Sequence, residues 1–179
     1  MTLEQISAKH PTDKASVHSY LPFYERLFAA LNNTKLAVCE LGVDGGGSLC
    51  IWEEYFPNAK ILGVDINVKP PYIGDHQRIY HLQIDAYEER APKLIKELVG
   101  EFSVIIDDGP HSIESQRIFC ANYPPLLGPG GIAIVEDIQD INQAPSLHAA
   151  LPEGFIGGIV DLRHIKGRYD DVLFIAWRK

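Results

Sequence analysis

The sequence predicts a doubly wound α/β protein with a mostly parallel sheet and an antiparallel hairpin at its C-terminal end. Apolar runs of strand length alternate with segments of helical periodicity, which is typical of βαβ units. These runs are continuously apolar, as in a parallel sheet that is covered on both faces. The last two β-rich runs, residues 158–163 and 172–177, are separated by a polar stretch, which predicts a hairpin with a solvated turn at residues 168–171.

The elements follow in order along the chain. Aromatic and leucine side chains recur every three or four residues between Tyr20 and Leu31, which predicts an amphipathic helix. Strands are expected at residues 36–41, 60–65, 79–84, 102–107 and 131–136, and helices at 48–55, 88–99 and 113–126. Between the second and third strands, two consecutive prolines and a glycine predict a loop in place of a crossover helix.

Length and composition restrict the class of protein. The chain has 179 residues and a formal net charge of −8, which favours one domain, with an N-terminal cap segment over 1–34 and a core over 35–179. The acidic balance argues against a protein that binds nucleic acid through its phosphates. No apolar run reaches the ~18 residues of a membrane span, and the N-terminus lacks the pattern of a secretory signal. We therefore expect a cytoplasmic protein whose three cysteines are buried thiols.

Acidic residues cluster where the predicted strands end. Each of the first five strands ends in, or is followed by, an acid: Glu40, Asp65, Asp85, Asp107 with Asp108, and Glu136 with Asp137. Ligands of open α/β sheets bind outside the carboxyl ends of the strands. The alternative is that these acids cap helices or stabilise turns, as aspartate often does.

A glycine-rich turn, LGVDGGGSLCIW, follows the first strand. Such a turn lets a ligand approach the backbone at the positive end of a helix. It is not the GxGxxG of dinucleotide-binding proteins, because Asp44 occupies the position of the middle glycine. Asp65 suits the ribose hydroxyls of either a nicotinamide dinucleotide or an adenosyl ligand.

Two further motifs, IIDDGPHS and VEDIQD, follow the fourth and fifth strands. Since these strands are neighbours in a doubly wound sheet, Asp108, Glu136 and Asp137 should converge beside His111. Three carboxylates at that distance cannot all stay charged without a cation, and oxygen ligands favour Mg²⁺ or Ca²⁺. The alternative is that Glu136 and Asp137 cap the next segment and that His111 satisfies a turn.

These residues together resemble a known family. The motifs ELGV, GGSL, YFPNAKILGVDI, IIDDGPH and VEDIQ, with the N-terminal TDK, HSY and FYE, resemble class I S-adenosylmethionine-dependent methyltransferases. Within that class the chain is similar to the metal-dependent sugar O-methyltransferases of macrolide biosynthesis, of the mycinamicin and tylosin type, and to cephalosporin-hydroxylase-like proteins. The resemblance extends over residues 12–137 and implies a Rossmann-like sheet of seven strands in the order 3-2-1-4-5-7-6.

The resemblance also implies a site. It places S-adenosylmethionine on Glu40, Gly42, Asp44, Gly46, Ser48, Asp65, Asp85 and Asp107, under a cap segment that contributes Lys14 and Tyr20. It assigns Asp108, Glu136 and Asp137 to Mg²⁺ or another hard divalent cation, and His111 to the role of general base. The chain departs from the family at Asp44, which replaces a glycine, and it is shorter than the macrolide enzymes.

The implied reaction is methylation of a hydroxyl group on a sugar or another small diol-containing molecule. The expected partner is a small-molecule or saccharide acceptor, with no membrane or nucleic acid, and a homo-oligomer could form through the N-terminal helix or the hairpin edge. The rival interpretations are an NAD-binding oxidoreductase and a Rossmann-like binding module without turnover. The broken GxGxxG and the acids at the fifth strand argue against NAD.

Overall fold

The computed structural model describes residues 1–31 and 36–179, and it contains the predicted sheet. Seven strands are hydrogen-bonded in the order β3-β2-β1-β4-β5-β7-β6, which confirms the expected topology. The first five strands pair in parallel, and β7 runs antiparallel to β5 and β6. The strands are β1 Ala37–Leu41, β2 Lys60–Asp65, β3 Ile79–Gln83, β4 Phe102–Asp107, β5 Leu127–Val135, β6 Phe155–Asp161 and β7 Val172–Arg178.

Helices cover both faces of this sheet. They are α1 Leu3–Ser7, α2 Asp13–Ser16, α3 Tyr20–Phe28, α4 Gly47–Tyr55, α5 Ala91–Val99, α6 Ile113–Asn122, α7 Ala144–Ala150 and α8 Arg163–Lys166. As expected, no α-helix crosses from β2 to β3 in residues 66–78, where the structure has only a 3₁₀ turn at Pro71–Ile73.

Alternation along the strands divides the core into two layers. Val38 of β1 packs with α1, α3 and α4, whereas its neighbour Cys39 packs with α5, α6 and α7 on the opposite face. All three cysteines are buried and free, as expected. Within the described residues, no helix combines the length and apolar character that crossing a bilayer requires.

Strand register brings the acidic motifs to one edge of the sheet. Leu41 is paired with Asp107, and Asp107 is paired with Val135. The Asp108 N–H donates to the Leu41 carbonyl at 2.8 Å, and the Glu136 N–H donates to the Asp107 carbonyl at 3.0 Å. The glycine-rich turn and the two acidic motifs are therefore neighbours at the carboxyl ends of β1, β4 and β5.

Several boundaries differ from the sequence prediction; for example, β6 spans Phe155–Asp161 where residues 158–163 were expected. Helix α5 begins at Ala91, because Pro92 has no N–H and so fits only the first turn. Helix α6 ends at Asn122, and a 3₁₀ turn follows over Pro124–Leu126. Strand β5 begins at Leu127, because its glycines form an irregularity inside the ladder and do not end it.

The N-terminal segment was only partly predicted. Helices α1 and α2 are too short to show a period, and the structure adds them to the expected helix α3. The predicted boundary between cap and core, at residues 34 and 35, lies outside the described residues.

The N-terminal segment packs on the core through aromatic rings. Phe28 of α3 is fully buried, and its ring centroid lies 5.2 Å from that of Tyr24, 6.1 Å from that of Trp52 and 5.6 Å from that of Phe56. Contacts of this kind make α3 part of the hydrophobic core.

We expect Phe28→Ala to lower the free energy of unfolding by about 3–5 kcal/mol, because it leaves a cavity in this cluster. Urea denaturation of the full chain measures the change. The control is Leu98→Ala, at a side chain that is 58% exposed, which should change stability by less than about 0.5 kcal/mol. A Phe28→Ala loss as small as that of the control would show that α3 does not belong to the core.

Candidate active site

The glycine-rich turn packs closely against the fourth strand end. Gly42 has a positive φ of 81°, and a Cβ built on it would lie 2.1 Å from the Asp108 carbonyl oxygen. Asp44 also has a positive φ, of 41°. Aspartate is one of the few residues other than glycine that tolerates this region, which explains how it can replace the glycine here.

Two clefts open beside this turn. One, of about 540 Å³, is lined by Gly42, Asp44, Asp65 and Asp85 together with Asp108 and His111. The other, of about 900 Å³, is lined by Gly46, Ser48 and Lys14, and it shares Asp44 and Asp108 with the first. Glu40, Asp107 and Tyr20 line neither cleft, because they are buried beneath them.

Asp65 is held in place by backbone donors. Its carboxylate accepts the N–H groups of Val43 and Asn67, each at 2.8 Å. Burial opposes ionisation of this group, but the backbone hydrogen bonds outweigh it and lower the pKa of Asp65. Asp65 is therefore a fixed carboxylate at one side of the smaller cleft.

Lys14 lies in the middle of the acidic residues. Its side chain is buried, and its Nζ donates to Asp108 Oδ2 at 2.5 Å and to Glu136 Oε2, and lies 3.4 Å from Glu40 Oε1. Burial alone would lower the pKa of Lys14, but the three carboxylates outweigh it and raise the pKa well above its usual value. The ammonium group thus supplies a cation to these acids.

The carboxylates of Glu40 and Glu136 have additional donors. The Trp52 indole N–H donates to Glu40, and the Tyr24 hydroxyl donates to Glu136 Oε1 at 2.5 Å. Each oxygen of Glu136 therefore already accepts one hydrogen bond within the protein.

Asp108, His111 and Asp137 meet at the open side of this cluster. His111 Nε2 lies 3.5 Å from Asp137 Oδ2 and 4.0 Å from Asp108 Oδ1. One ligand atom from each residue lies within 4.8 Å of the others, as a shared cation would require. His111 and Asp137 both have positive φ, of 56° and 54°, which costs backbone energy and is common at functional sites.

Asp107 points to the opposite face of β4. It is 2% exposed, accepts a hydrogen bond from the Tyr87 hydroxyl, and its Oδ2 has no hydrogen-bond partner. Burial and the nearby Asp108 charge raise the pKa of Asp107 to about 7, although the Tyr87 hydrogen bond lowers it.

The turn before β7 is not the solvated hairpin turn that the sequence predicted. Asp170 is 5% exposed and Asp171 is fully buried. Asp171 accepts hydrogen bonds from His18 and Ser19 of the N-terminal segment. The expectation was wrong because an antiparallel strand begins where its parallel neighbours end, so residues before β7 lie at the site edge.

Known proteins are similar to this chain in sequence. The 3'-O-methyltransferase of 8-demethyl-8-(2-methoxy-alpha-L-rhamnosyl)-tetracenomycin C from Streptomyces olivaceus is 34% identical over 144 residues, which cover 76% of this chain and 36% of that protein. Mycinamicin VI 2''-O-methyltransferase from Micromonospora griseorubida is 33% identical over 144 residues, with the same two shares. In sequence, this chain is similar to sugar O-methyltransferases. No protein-family profile matches it.

Solved structures agree with the sequence relatives. The methyltransferase MycE of the mycinamycin pathway, in complex with Mg, SAH and mycinamycin VI, superposes with a TM-score of 0.81 at 25% identity. The match covers 99% of this chain and 53% of MycE. A second MycE structure, with Mg and SAH, gives a TM-score of 0.78 at 26% identity, over 99% of this chain and 55% of that chain.

The chain matches only part of these proteins. It spans 36% of the length of each of the two curated relatives described above. The similarity to MycE extends over both the sheet and the N-terminal segment, since it covers nearly all of the chain.

The raised pKa of Asp107 predicts a pH-dependent stability. Between its unfolded pKa near ~3.9 and about 7, the folded protein keeps a proton that the unfolded chain releases, so this group's contribution to the free energy of unfolding falls as the pH rises. Asp107→Asn removes this dependence. We expect the variant to gain on the order of 2–4 kcal/mol relative to wild type between pH 4.5 and 7.5, measured by urea denaturation.

The matched control is Asp75→Asn, at an exposed aspartate in the loop after β2, which should follow the wild-type pH dependence. Parallel stability curves for wild type and Asp107→Asn would contradict the assignment.

Proposed function

We propose that this chain transfers a methyl group from S-adenosylmethionine to a hydroxyl of a sugar or another small diol-containing molecule. One observation carries the proposal. Asp108, His111 and Asp137 converge at the mouth of a cleft that Gly42, Asp65 and Asp85 also line. The relatives named as sugar O-methyltransferases support the same reaction.

The smaller cleft is the proposed site for the methyl donor. Gly42 lets the turn pack against the Asp108 backbone, which a Cβ would prevent, and so brings the glycine-rich turn and the Asp108 motif together as walls of one cleft. Asp65, ionised and fixed by two N–H donors, is placed to accept hydrogen bonds from ribose hydroxyls. Asp85 follows β3 at the far side of the cleft, where it could accept from the adenine amino group. Asp44, Gly46 and Ser48 line the space on the other side of the turn, which suits the methionine end.

The acids fit a hard divalent cation. Lys14 donates a hydrogen bond to Asp108 Oδ2, and the Tyr20 hydroxyl donates one to Asp137 Oδ1. The other oxygen of each carboxylate, Asp108 Oδ1 and Asp137 Oδ2, remains available on the side of His111. Lys14 is one buried ammonium against Glu40, Asp108 and Glu136, so a second cation would balance the charge. We propose that Asp108 and Asp137 hold it through these oxygens; Glu136, the third ligand that the resemblance implied, has both oxygens occupied by Lys14 and Tyr24. Mg²⁺ bound there would act as a Lewis acid on an acceptor hydroxyl.

His111 is the proposed general base. Its Nε2 lies at the same opening as the free carboxylate oxygens, and its side chain is 32% exposed, so an acceptor can reach it. The task of the base is to take the proton from the acceptor oxygen as that oxygen attacks the methyl carbon. Positioning of the two reactants can contribute ~7–11 kcal/mol, and general-base catalysis ~10²–10⁴-fold.

The net charge of −8 favours a small-molecule acceptor over nucleic acid, and we propose a cytoplasmic biosynthetic enzyme. The two relatives are named for a rhamnosyl tetracenomycin C and for mycinamicin VI, and these two molecules are the first acceptors to test.

The donor assignment is tested by calorimetric titration of S-adenosylhomocysteine into the full chain, with NAD as control ligand. We expect micromolar binding of S-adenosylhomocysteine and none of NAD. Asp65→Asn should weaken binding about tenfold, because a charged acceptor for the ribose hydroxyls is lost (~1.4 kcal/mol). The control Asp75→Asn should leave the Kd unchanged. Binding of NAD in place of S-adenosylhomocysteine would point to the oxidoreductase alternative.

The base assignment is tested with His111→Ala on the acceptor that turns over fastest. We expect kcat to fall by ~10²–10⁴ while the Kd of S-adenosylhomocysteine stays within twofold. His148→Ala, at an exposed histidine on α7, is the matched control and should keep wild-type kcat. An equal loss of turnover and ligand affinity in His111→Ala would show that His111 has a structural role.

A further inference from the structure

Asp171 is a fully buried carboxylate that the proposed function does not use. It accepts the Ser19 hydroxyl at 2.7 Å and the Ser19 N–H at 3.2 Å, and its Oδ1 lies 3.0 Å from His18 Nδ1. A buried charge without partners costs several kcal/mol, so these contacts firmly hold the start of α3 against the residue that precedes β7.

The sheet topology places Asp171 next to the site. Because β7 is antiparallel to β5, its first residue lies beside the last residues of β5. The Ile138 N–H donates to the Val172 carbonyl at 3.1 Å, which ties the residue after Asp137 to the residue after Asp171. Asp137 and Asp171 therefore both face residues 18–20 of the N-terminal segment.

His18 and Tyr20 connect Asp171 to Asp137. His18 Nδ1 lies 3.3 Å from Asp137 Oδ1, and the Tyr20 hydroxyl donates to the same oxygen. Since both carboxylates that face His18 Nδ1 are acceptors, this nitrogen carries a proton. The His18 and Tyr20 rings stack with centroids 4.8 Å apart.

This arrangement fixes which oxygen of Asp137 is free. Oδ1 accepts the Tyr20 hydroxyl and lies 3.3 Å from His18 Nδ1, so Oδ2 is left on the side of His111, 3.5 Å from its Nε2. Lys166 supports the same segment, because its Nζ donates to the carbonyls of Ala15 and His18, each at 2.6 Å.

We infer that Asp171 is a positioning residue for Asp137, acting through His18 and Tyr20. Asp171 orders the segment between α2 and α3, and that segment orients the Asp137 carboxylate toward the proposed cation and His111. The inference deepens the proposed function and rests on it.

The first test measures Mn²⁺ affinity of the full chain by electron paramagnetic resonance, with S-adenosylhomocysteine present. We expect Asp171→Ala to weaken Mn²⁺ binding at least tenfold, while the Kd of S-adenosylhomocysteine without metal stays within twofold. Asp171→Asn keeps the shape of the side chain and should weaken Mn²⁺ binding at least threefold. It decides the question if the alanine variant does not fold.

The matched control is Asp161→Ala, at the last residue of β6, whose side chain is 39% exposed and pairs with Arg163. It should leave Mn²⁺ affinity unchanged. A His18→Gln variant should weaken Mn²⁺ binding as well, and combining it with Asp171→Asn should weaken binding by less than the product of the two single effects.

A second readout does not depend on the metal. In the metal-free protein, the imidazole nitrogen resonances of His111 should shift in Asp171→Asn and stay unchanged in Asp161→Ala. If wild type binds no Mn²⁺, the proposed metal site is wrong, and the His111 resonances still decide whether Asp171 positions Asp137. The inference is overturned if Asp171→Asn binds Mn²⁺ as tightly as the wild type does. If neither protein binds Mn²⁺, it is overturned when the His111 resonances of Asp171→Asn equal those of the wild type.

Discussion

The ammonium group of Lys14 is the interaction on which the edge of the sheet depends. Alternation along β1 and the register of β4 and β5 turn Glu40, Asp108 and Glu136 toward the same face, where the Lys14 Nζ contacts all three. Buried carboxylates this close could not all remain ionised without a nearby cation. Because Lys14 lies on α2, the N-terminal segment is an electrostatic component of the site as well as part of the core.

The remaining geometry follows from which oxygens the protein itself uses. Lys14 donates to one oxygen of Asp108, and Tyr20 donates to one oxygen of Asp137. The other oxygen of each aspartate lies on the side of His111. The left-handed backbone at His111 and Asp137 holds those side chains at the open side of the cluster. The buried half of the cluster thus stabilises the fold, and the open half is available for a ligand.

Sequence patterns were sufficient for the sheet, its order and the residues at its carboxyl edge, because strand ends and strand register determine where Asp65, Asp108 and Glu136 lie. They were insufficient for the environments of Lys14 and Asp171. Lys14 lies in a four-residue helix that shows no period, and its partner Asp108 is 94 residues away. Asp171 binds Ser19 across 152 residues. Charges of this kind are buried by tertiary contacts. The family resemblance placed Lys14 over the site but not among the acids, and the signal for Asp171 was the antiparallel direction of β7.

The most direct test of this account is a crystal structure of the full chain with S-adenosylhomocysteine and Mn²⁺, with anomalous data to locate the metal. The account predicts the nucleoside between Gly42, Asp65 and Asp85, and an anomalous peak coordinated by Asp108 and Asp137 beside His111. A structure with the nucleoside outside this cleft would contradict the account. So would a structure that contains S-adenosylhomocysteine in the cleft but no metal on these acids at saturating Mn²⁺.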